Sequence, residues 1–281
     1  MKIIYEYLRL MRFDKPIGIF LLLWPTLWAL WIAAQGTPPL KLLLIFIAGV
    51  IVMRAAGCII NDVADRRIDG AVARTQHRPL AIQSIPLSHA LLLFAGLCAL
   101  AGILVLFLNR LSLYLALIGL LLAGLYPFTK RFTHWPQAFL GLTFSWGIPM
   151  AFAAQLNHIP LLGWWLMATT GLWIIVYDTL YAMVDRRYDI PLGVKSTAIL
   201  FGNYDRLIIA GMQITVLISL ALIAQYCQLN WPFYLGWICA LGLVIYQQYL
   251  IRHRDPAACF QAFLNNHWFG CAIFIGFWLG K

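Results

Sequence analysis

Charged residues are scarce in this chain, and acidic residues are the scarcest. Of its 281 residues only 11% are charged, whereas 63% are hydrophobic. Soluble globular domains are typically about one quarter charged. The shortage of charge therefore argues against an ordinary water-soluble domain and favours a protein embedded in lipid.

Several common catalytic and metal-binding patterns are also missing. The six cysteines form no C-x-x-C pair and the six histidines show no H-x-x-x-H spacing, so neither a zinc site nor a thiol redox site is predicted. No glycine-rich phosphate loop is present, and Ser145 lies outside any nucleophile elbow. A phosphate group would therefore have to be bound through a metal ion and basic side chains.

The chain does contain a series of long apolar runs. Each has roughly 18 residues or more, which is enough for a helix to cross a bilayer. Because lipid offers no hydrogen-bond partner to backbone N–H and C=O groups, these runs should be helices rather than open strands. The nine predicted spans lie near residues 17–34, 41–60, 87–108, 111–127, 135–155, 160–182, 207–227, 231–251 and 262–280. The prediction is an all-α membrane protein with about nine transmembrane helices, forming a single domain over residues 1–281 without a removable signal peptide.

The net charge of +10 follows this topology. With the N-terminus in the cytoplasm, sixteen of the twenty basic residues fall in inner segments, three fall in outer segments, and Arg54 lies within a span. This distribution is the one that the positive-inside rule describes. We therefore expect a cell inner (cytoplasmic) membrane protein with the N-terminus and active site facing the cytoplasm, and no nucleic-acid partner.

Six of the ten acidic residues lie in two short segments at the cytoplasmic ends of predicted spans. They are Asp62, Asp65 and Asp69 in the first cluster, and Asp178, Asp185 and Asp189 in the second. Carboxylates at membrane depth are costly and usually line a cavity or a ligand path. On α-helices the second set would lie within about 40° of one another, and Asn61, Asp65 and Asp69 within roughly 80°.

Such stripes of like charge predict a cation between them. Carboxylates on one helix face repel each other, and carboxylate and amide oxygens are hard ligands that suit Mg²⁺. Two facing helices could hold Mg²⁺ ions that neutralise a departing diphosphate. The alternative is that the acids are end charges paired with arginines of the same runs, namely Arg66, Arg67, Arg186 and Arg187.

The two clusters also resemble each other, since D-R-R-I-D at 65–69 matches D-R-R-Y-D at 185–189. An even number of spans between them would give both the same direction. The match predicts an internal pseudo-repeat with the site at the interface between the halves. Chance convergence on a short pattern remains the alternative.

At these motifs the chain resembles the UbiA superfamily of intramembrane prenyltransferases. The resemblance rests on N-D-x-x-D-x-x-x-D at 61–69 and on Y-D-T-x-Y-A-M-x-D-R-x-x-D at 177–189 with K-S-T-A at 195–198. Further segments look like the bacterial 4-hydroxybenzoate polyprenyltransferases of ubiquinone synthesis. These segments are D-K-P-I-G at 14–18, L-W-P-T at 23–26, M-R-A-A-G-C at 53–58, Y-P-F at 126–128 and I-P-M-A-F-A-A at 148–154.

The resemblance implies an activity and a set of site residues. A polyprenyl chain would pass from polyprenyl diphosphate to the ring carbon ortho to the hydroxyl of 4-hydroxybenzoate, with Mg²⁺ as cofactor. Nine helices would surround a central cavity that opens laterally to lipid. The implied metal ligands are Asn61, Asp65, Asp69, Asp185 and Asp189, with Asp62 beside them. The four aspartates of that set would be catalytic, and Asp178 is a candidate for orienting the phenol or taking a proton.

Arg54 is the one arginine well inside a predicted span. It shares a helix face with Asn61 and Asp65 to within about 20°. An intramembrane arginine needs an anionic partner. The predicted partner is the carboxylate of 4-hydroxybenzoate, and the alternative is a structural ion pair with Asp62 or Asp65.

Other basic and aromatic residues are candidates for substrate binding. Lys130, Lys195 and Arg74, with Arg78, could grip diphosphate oxygens, although positive-inside topology alone would also explain them. Tyr126 and Tyr181, with Tyr177, could stabilise an allylic cation through their ring faces. Simple packing is the alternative for any one tyrosine.

Three rival functions remain at this stage. Another aromatic acceptor would use the same chemistry. A CDP-alcohol phosphotransferase is disfavoured because only part of its acidic signature is present. A cation-coupled transporter is disfavoured because the ionisable residues crowd one side of the membrane, whereas a transport path should link both sides.

Overall fold

Helices make up the regular structure of the part of the chain that this computed structural model describes, residues 2–66, 69–71 and 75–281. The α-helices are α1 (Lys2–Leu10), α2 (Ile17–Ala34), α3 (Leu40–Asp65), α4 (Leu87–Leu106), α5 (Arg110–Leu125), α6 (Pro136–Ser145), α7 (Gly147–Leu156), α8 (Leu161–Asp189), α9 (Thr197–Phe201), α10 (Asp205–Tyr226), α11 (Trp231–Leu250) and α12 (Pro256–Leu279). Short 3-10 segments cover Asp69–Ala71, Tyr126–Arg131, Gly202–Tyr204 and Ile251–His253. The all-α prediction is confirmed.

Eight helical segments of the described residues are long and apolar enough to cross a membrane. They are Ile17–Ala34, Leu40–Asp65, Leu87–Leu106, Arg110–Arg131, Pro136–Leu156, Leu161–Asp189, Thr197–Tyr226 and Trp231–His253. The chain is therefore a multi-pass membrane protein, but the predicted count of nine is not confirmed. The segment predicted at 262–280 is helical, in α12, yet Asn265, Asn266 and His267 interrupt its apolar run and lower its mean hydropathy.

Polar side chains of α12 bond to neighbouring helices. Asn266 Oδ1 accepts a hydrogen bond from Trp173 Nε1 of α8 at 2.8 Å, and His267 Nδ1 accepts one from Trp24 Nε1 of α2 at 3.0 Å. Such interhelical bonds contribute about 0.6 kcal/mol each in a membrane protein. They explain why a helix of the interior carries polar residues.

The packed side of the molecule is formed by α2, α8 and α10–α12. Its centre is aromatic: the Trp28 and Trp173 rings stack with centroids 5.3 Å apart, and Phe269 lies 5.3 Å from Trp173. All three side chains are buried. This rigid block holds α8, and thereby the second acidic cluster, in place.

The fifth predicted span forms two helices that meet at Trp146. Pro149 has no N–H, so the carbonyl of Ser145 cannot receive its helical hydrogen bond and the helix breaks there. Just before the break α6 approaches α8 closely, because a Cβ on Gly141 would lie 2.8 Å from the carbonyl oxygen of Gly171. Glycine at position 141 therefore permits the contact that brings α6 against α8.

The two helices that carry the acidic clusters are the longest. At 1.5 Å per residue, the 26 residues of α3 and the 29 of α8 extend about 39 and 44 Å. The hydrocarbon core of a bilayer is about 30 Å thick. The last turns of both helices can therefore extend beyond the hydrocarbon and present their acids at its border.

Candidate active site

The first acidic cluster lies where α3 ends. Asn61 and Asp65 share a helix face as predicted, but the expectation that Asp69 continues that face is wrong, since Asp69 begins a separate 3-10 segment. Two downstream residues hold it there: Arg78 Nη1 lies 3.0 Å from Asp69 Oδ2, and Thr75 Oγ1 donates to the Asp69 carbonyl at 2.9 Å. Outside the hydrocarbon a backbone carbonyl can accept a side-chain hydrogen bond in place of the hydrogen bond that it would accept within a helix.

Asp62 is held by two arginines. Arg12 Nη2 donates to both of its carboxylate oxygens, at 2.7 and 2.9 Å, and Arg78 Nη1 lies 3.1 Å from Oδ1. Asp62 is only 1% exposed. Asp62 is therefore committed to ion pairs with both arginines, and it anchors the segment before α2 to the site.

Arg78 links Asp62 to Asp69 and shapes the charge of both. Burial raises the pKa of Asp69 above its ordinary value, Arg78 opposes this, and the neighbouring Asp62 and Asp65 add to it. Burial works to lower the pKa of Arg78, but the two carboxylates raise it overall. Arg78 thus remains a cation at the border of the first cluster.

Lys130 joins the first cluster to the segment that follows the second. Its Nζ pairs with Asp65 Oδ2, and its backbone carbonyl accepts a hydrogen bond from the Lys195 N–H at 3.1 Å. The Lys195 ammonium donates to the Phe132 carbonyl at 3.2 Å. Both predicted cations therefore lie at the same end of the molecule as Asp65.

The second cluster occupies the last three turns of α8 and the turn before them. Asp185 is buried, whereas Asp178 and Asp189 are half-buried. Asp178 lies within electrostatic range of Tyr126 and Tyr177. Each of the three aspartates interacts with other groups of the protein.

The basic residues beside these acids have other partners. Arg186 Nη2 donates to Asp205 of α10 at 2.6 Å, and Arg66 Nη1 donates to the Val63 carbonyl at 2.8 Å. Arg187 stacks over the ring of Tyr188. The alternative that arginines simply neutralise the acids of their own runs is therefore wrong for these three, and Arg67 lies outside the described residues.

Asp205 is a buried acid that the sequence prediction missed. It is fully buried and pairs with Arg186 and with Arg254, whose Nη2 lies 2.8 Å away. It thereby ties the end of α8 to the turn between α11 and α12. One feature of the sequence could have indicated it: only four acidic residues lie outside the two clusters, and Asp205 is one of them.

A cavity of about 260 Å³ is lined by residues of the successive helices α2 to α7, and its walls are almost entirely apolar. Along α3 it extends from Ile45 to Gly57, which is about 18 Å at helical rise. Among the described residues that line it, Arg54 is the only charged one, and Tyr126 lies at the same end. The described residues that line the cavity thus lie between positions 22 and 150, and the later helices do not contribute to its walls.

Arg54 has no acidic partner among the described residues. Its Nε is buried without a hydrogen bond, and its guanidinium lies 5.7 Å from the ring of Phe144. Asp62 and Asp65, the alternative partners, pair with other cations. The structural ion pair that the sequence left open is therefore contradicted, and Arg54 offers a positive charge at the end of an apolar cavity.

Three tyrosines lie within electrostatic range of Arg54, namely Tyr126, Tyr177 and Tyr181. Only Tyr126 lines the cavity, while Tyr181 packs against Phe263 with ring centroids 4.8 Å apart. Arg74, also predicted to bind substrate, lies outside the described residues.

The oxygen donors at this end fit Mg²⁺ in chemical type. Carboxylates and the Asn61 amide are hard ligands, and Asp65 Oδ1 is buried without a hydrogen-bond partner among the described residues. Within the described ranges, however, no three His, Cys, Asp or Glu residues are grouped closely enough to hold an ion. The first-cluster carboxylates pair with Arg12, Arg78 and Lys130.

Comparison with known proteins agrees with this geometry. Residues 22–270 match the model of the UbiA prenyltransferase family. The chain is 61% identical to a 4-hydroxybenzoate octaprenyltransferase of Coxiella burnetii over 271 residues, covering 96% of this chain and 94% of the relative. A protein of the same name from Methylococcus capsulatus is 56% identical, covering 96% of this chain and 92% of the relative.

Solved structures share the fold. A UbiA homolog from Aeropyrum pernix K1, in its apo form, superposes with a TM-score of 0.80 at 23% identity, covering 92% of this chain and 96% of the homolog. A UbiA homolog from Archaeoglobus fulgidus bound to GPP and Mg²⁺ gives 0.72 at 16% identity, covering 96% and 99%. With the match to the family model and the curated relatives, these likenesses establish that the chain belongs to the UbiA prenyltransferase family.

Proposed function

We propose that this protein transfers a polyprenyl chain from polyprenyl diphosphate to the ring carbon ortho to the hydroxyl of 4-hydroxybenzoate, a step of ubiquinone biosynthesis. The observation that carries the proposal is Arg54, a half-buried cation without an acidic partner among the described residues, at the end of an apolar cavity. Tyr126, which lines the same end, lies within electrostatic range of Asp65 and Asp178 of the two clusters. The relatives named 4-hydroxybenzoate octaprenyltransferase, at 56–61% identity, support the choice of acceptor.

Arg54 would bind the acceptor through its carboxylate. A guanidinium presents paired donors that match a carboxylate, and such a charge-assisted pair is strong where water is excluded. The acceptor ring would then lie near Tyr126 and Asp178, which are in electrostatic contact with each other. Asp178 is our candidate for orienting the phenol hydroxyl or accepting a proton.

The donor diphosphate would bind at the acidic clusters. Asn61, Asp65, Asp69, Asp185 and Asp189 supply the oxygens that would hold Mg²⁺, and the bound ion supplies positive charge to the leaving diphosphate. The Archaeoglobus fulgidus homolog bound to GPP and Mg²⁺ supports this choice of ion. Asp62 would serve as an anchor for Arg12 and Arg78 rather than as a ligand.

Lys130 would exchange its partner when the donor binds. Its ammonium pairs with Asp65 and therefore already lies within reach of whatever that carboxylate binds. Lys195, Arg78 and Arg74 would add further positive charge around the diphosphate. Such cations stabilise the charge that develops as the allylic carbon–oxygen bond breaks.

The apolar cavity would hold the part of the prenyl chain next to the reacting carbon. Its walls exclude water, which would otherwise quench a cationic allylic carbon. The ring of Tyr126 lies at the polar end, where its face could stabilise that cation. The remainder of a long chain would extend into the surrounding lipid.

We infer a location in the cell inner membrane, with the N-terminus and the active site facing the cytoplasm. The concentration of basic residues on the side of the acidic clusters supports this orientation. We further propose that residues 1–281 act as a single domain with an internal pseudo-repeat, which would supply one acidic cluster from each half.

Prenyl transfer in membranes tests the proposal directly. Labelled 4-hydroxybenzoate and a polyprenyl diphosphate are supplied with Mg²⁺ or with EDTA to the wild type, Asp65→Asn and Asp189→Asn. We expect a labelled lipid product that requires Mg²⁺ and that both substitutions abolish. Asp255→Asn is the matched control, because this exposed acid belongs to neither cluster and caps α12, and asparagine caps equally well. Absence of product from folded wild-type protein would refute the assigned acceptor.

A further inference from the structure

The guanidinium of Arg54 lies directly against the backbone of Gly18 in α2. A Cβ atom added to Gly18 would lie 2.5 Å from Arg54 Cζ and closer still to Nε and Nη2. Real carbon atoms in van der Waals contact are about 3.5–4.0 Å apart. No side chain at position 18 can therefore coexist with this position of the guanidinium.

The space beside Gly18 is filled by the Arg54 guanidinium. At Gly119 and Gly147, which line the cavity, an added Cβ would instead meet Trp146 at 2.9 Å and Thr26 at 3.0 Å. A Cβ added at Gly49, Gly57 or Gly102, which line the cavity, would meet nothing within 4 Å. Backbone conformation does not explain Gly18 either, because it lies in a regular helix and is not among the residues with positive φ. What glycine provides at position 18 is room for a cation.

We propose that Gly18 is a positioning residue that sets the orientation of the Arg54 guanidinium toward the acceptor carboxylate. The inference rests on the proposed function, since it assigns Arg54 to acceptor binding. The backbone of α2 on one helix and the Phe144 ring of α6 on another bound the guanidinium. With no acid to hold Arg54, these contacts are what orient its donors.

A methyl group at position 18 should move Arg54 rather than the helices. A long arginine side chain can change rotamer, whereas α2 is packed against α7 and α12 along its length. Misplacing a binding group by about 1 Å can reduce catalysis by about 100-fold. We therefore expect Gly18→Ala to raise KM for 4-hydroxybenzoate by about 10-fold to 100-fold and to leave KM for the prenyl diphosphate unchanged.

A double-substitution cycle distinguishes this role from a general packing role. KM and kcat for both substrates are measured in Gly18→Ala, in Arg54→Met and in the combined variant. If Gly18 acts through Arg54, Gly18→Ala has no further effect once Arg54 is gone, so the two effects are not additive. Equal effects of Gly18→Ala in both backgrounds would overturn the proposal, as would a rise in KM for the donor alone.

Folding is controlled within the same set. Gly242→Ala of α11 introduces the same methyl group at an exposed helical position where it meets nothing within 4 Å, and it should behave as wild type. If Gly18→Ala fails to fold, the combined variant should fold, because removing the guanidinium frees the space. Failure of both variants to fold would refute the positioning role.

The outcomes for Gly18 and for the proposed function can be separated. Binding of 4-hydroxybenzoate to the detergent-solubilised protein is measured by calorimetry, without any donor. Wild type that neither binds nor prenylates 4-hydroxybenzoate would refute the proposed acceptor. Active wild type together with unchanged acceptor binding in Gly18→Ala would refute only the role of Gly18.

Discussion

Replacing Arg54 with methionine should weaken acceptor binding without destabilising the protein. Most buried arginines are held by carboxylates, so removing them costs stability. Arg54 differs, because no carboxylate of the described residues pairs with it and its Nε is a buried donor without an acceptor. Methionine has a similar length and needs no hydrogen-bond partner.

The expected rise in KM for the acceptor follows from the loss of the charge pair between Arg54 and the acceptor carboxylate. Truncating one member of a hydrogen-bonded ion pair in a desolvated site costs about 2–5 kcal/mol. At about 1.4 kcal/mol per tenfold change, KM for 4-hydroxybenzoate should rise by about 30-fold to 4,000-fold. KM for the prenyl diphosphate should stay within about twofold, because the donor's diphosphate binds at the acidic clusters.

The magnitude for stability is small. Loss of the cation–π contact with Phe144 removes about 0.5–2 kcal/mol, while removing a half-buried charge that has no acidic partner also removes the cost of desolvating it. The two effects should nearly cancel, which leaves the melting temperature in detergent within about 4 °C of wild type.

The assay compares kinetics with thermal unfolding in the same preparations. Arg254→Met is the matched control, since it removes an arginine that pairs with the buried Asp205. It should lower the melting temperature and leave KM for the acceptor unchanged. An Arg54→Met variant that melts well below wild type but binds 4-hydroxybenzoate normally would refute our reasoning.

Three further predictions concern residues around the site. Asp205→Asn should lower stability by about 2–3 kcal/mol, less than the loss of a fully buried pair because Arg186 and Arg254 are partly exposed; thermal unfolding measures this. Lys130→Met should raise KM for the prenyl diphosphate by about 10-fold to 150-fold, the value of a charge-assisted hydrogen bond, and leave KM for the acceptor unchanged. Gly49→Leu should narrow the cavity, which Gly49 lines with open space around it. It should reduce transfer from a long-chain donor by about 5-fold to 150-fold relative to geranyl diphosphate, the penalty of overpacking.

Each of these predictions has a result that contradicts it. Wild-type unfolding of Asp205→Asn would mean that the buried carboxylate does not hold α8 to the turn before α12. An effect of Lys130→Met on both substrates would point to a general structural role for its link with Lys195. Equal loss with short and long donors in Gly49→Leu would show that the prenyl chain does not lie along α3.

The sequence by itself determined the class of protein and the location of its acidic clusters. Apolar runs set the membrane helices, because every backbone group in lipid must be paired within a helix. Helical spacing placed Arg54, Asn61 and Asp65 on one face of α3, since residues seven and eleven apart lie within about 20° of each other. These features depend only on local geometry, and the structure agrees with them.

Prediction from the sequence was wrong or incomplete where an apolar run contains polar residues and where a helix ends. In α12 the polar residues lower the mean hydropathy, although they bond to α2 and α8. Asp69 does not lie on the predicted helical face, because Arg78, nine residues further on, holds it in a separate 3-10 turn. In both cases a partner on another segment decided the outcome.

Only the tertiary structure decided which charges are paired. Asp62 and Arg12 are fifty residues apart, so no local spacing could show that they neutralise each other. Asp65 pairs with Lys130 in the same way, and these pairings are what leave Arg54 without an acid. The room that Gly18 gives to Arg54 likewise arises from the packing of α2 against α3. Ion pairs and close approaches depend on how helices are placed in three dimensions, and a periodic pattern along one helix carries no information about its neighbours.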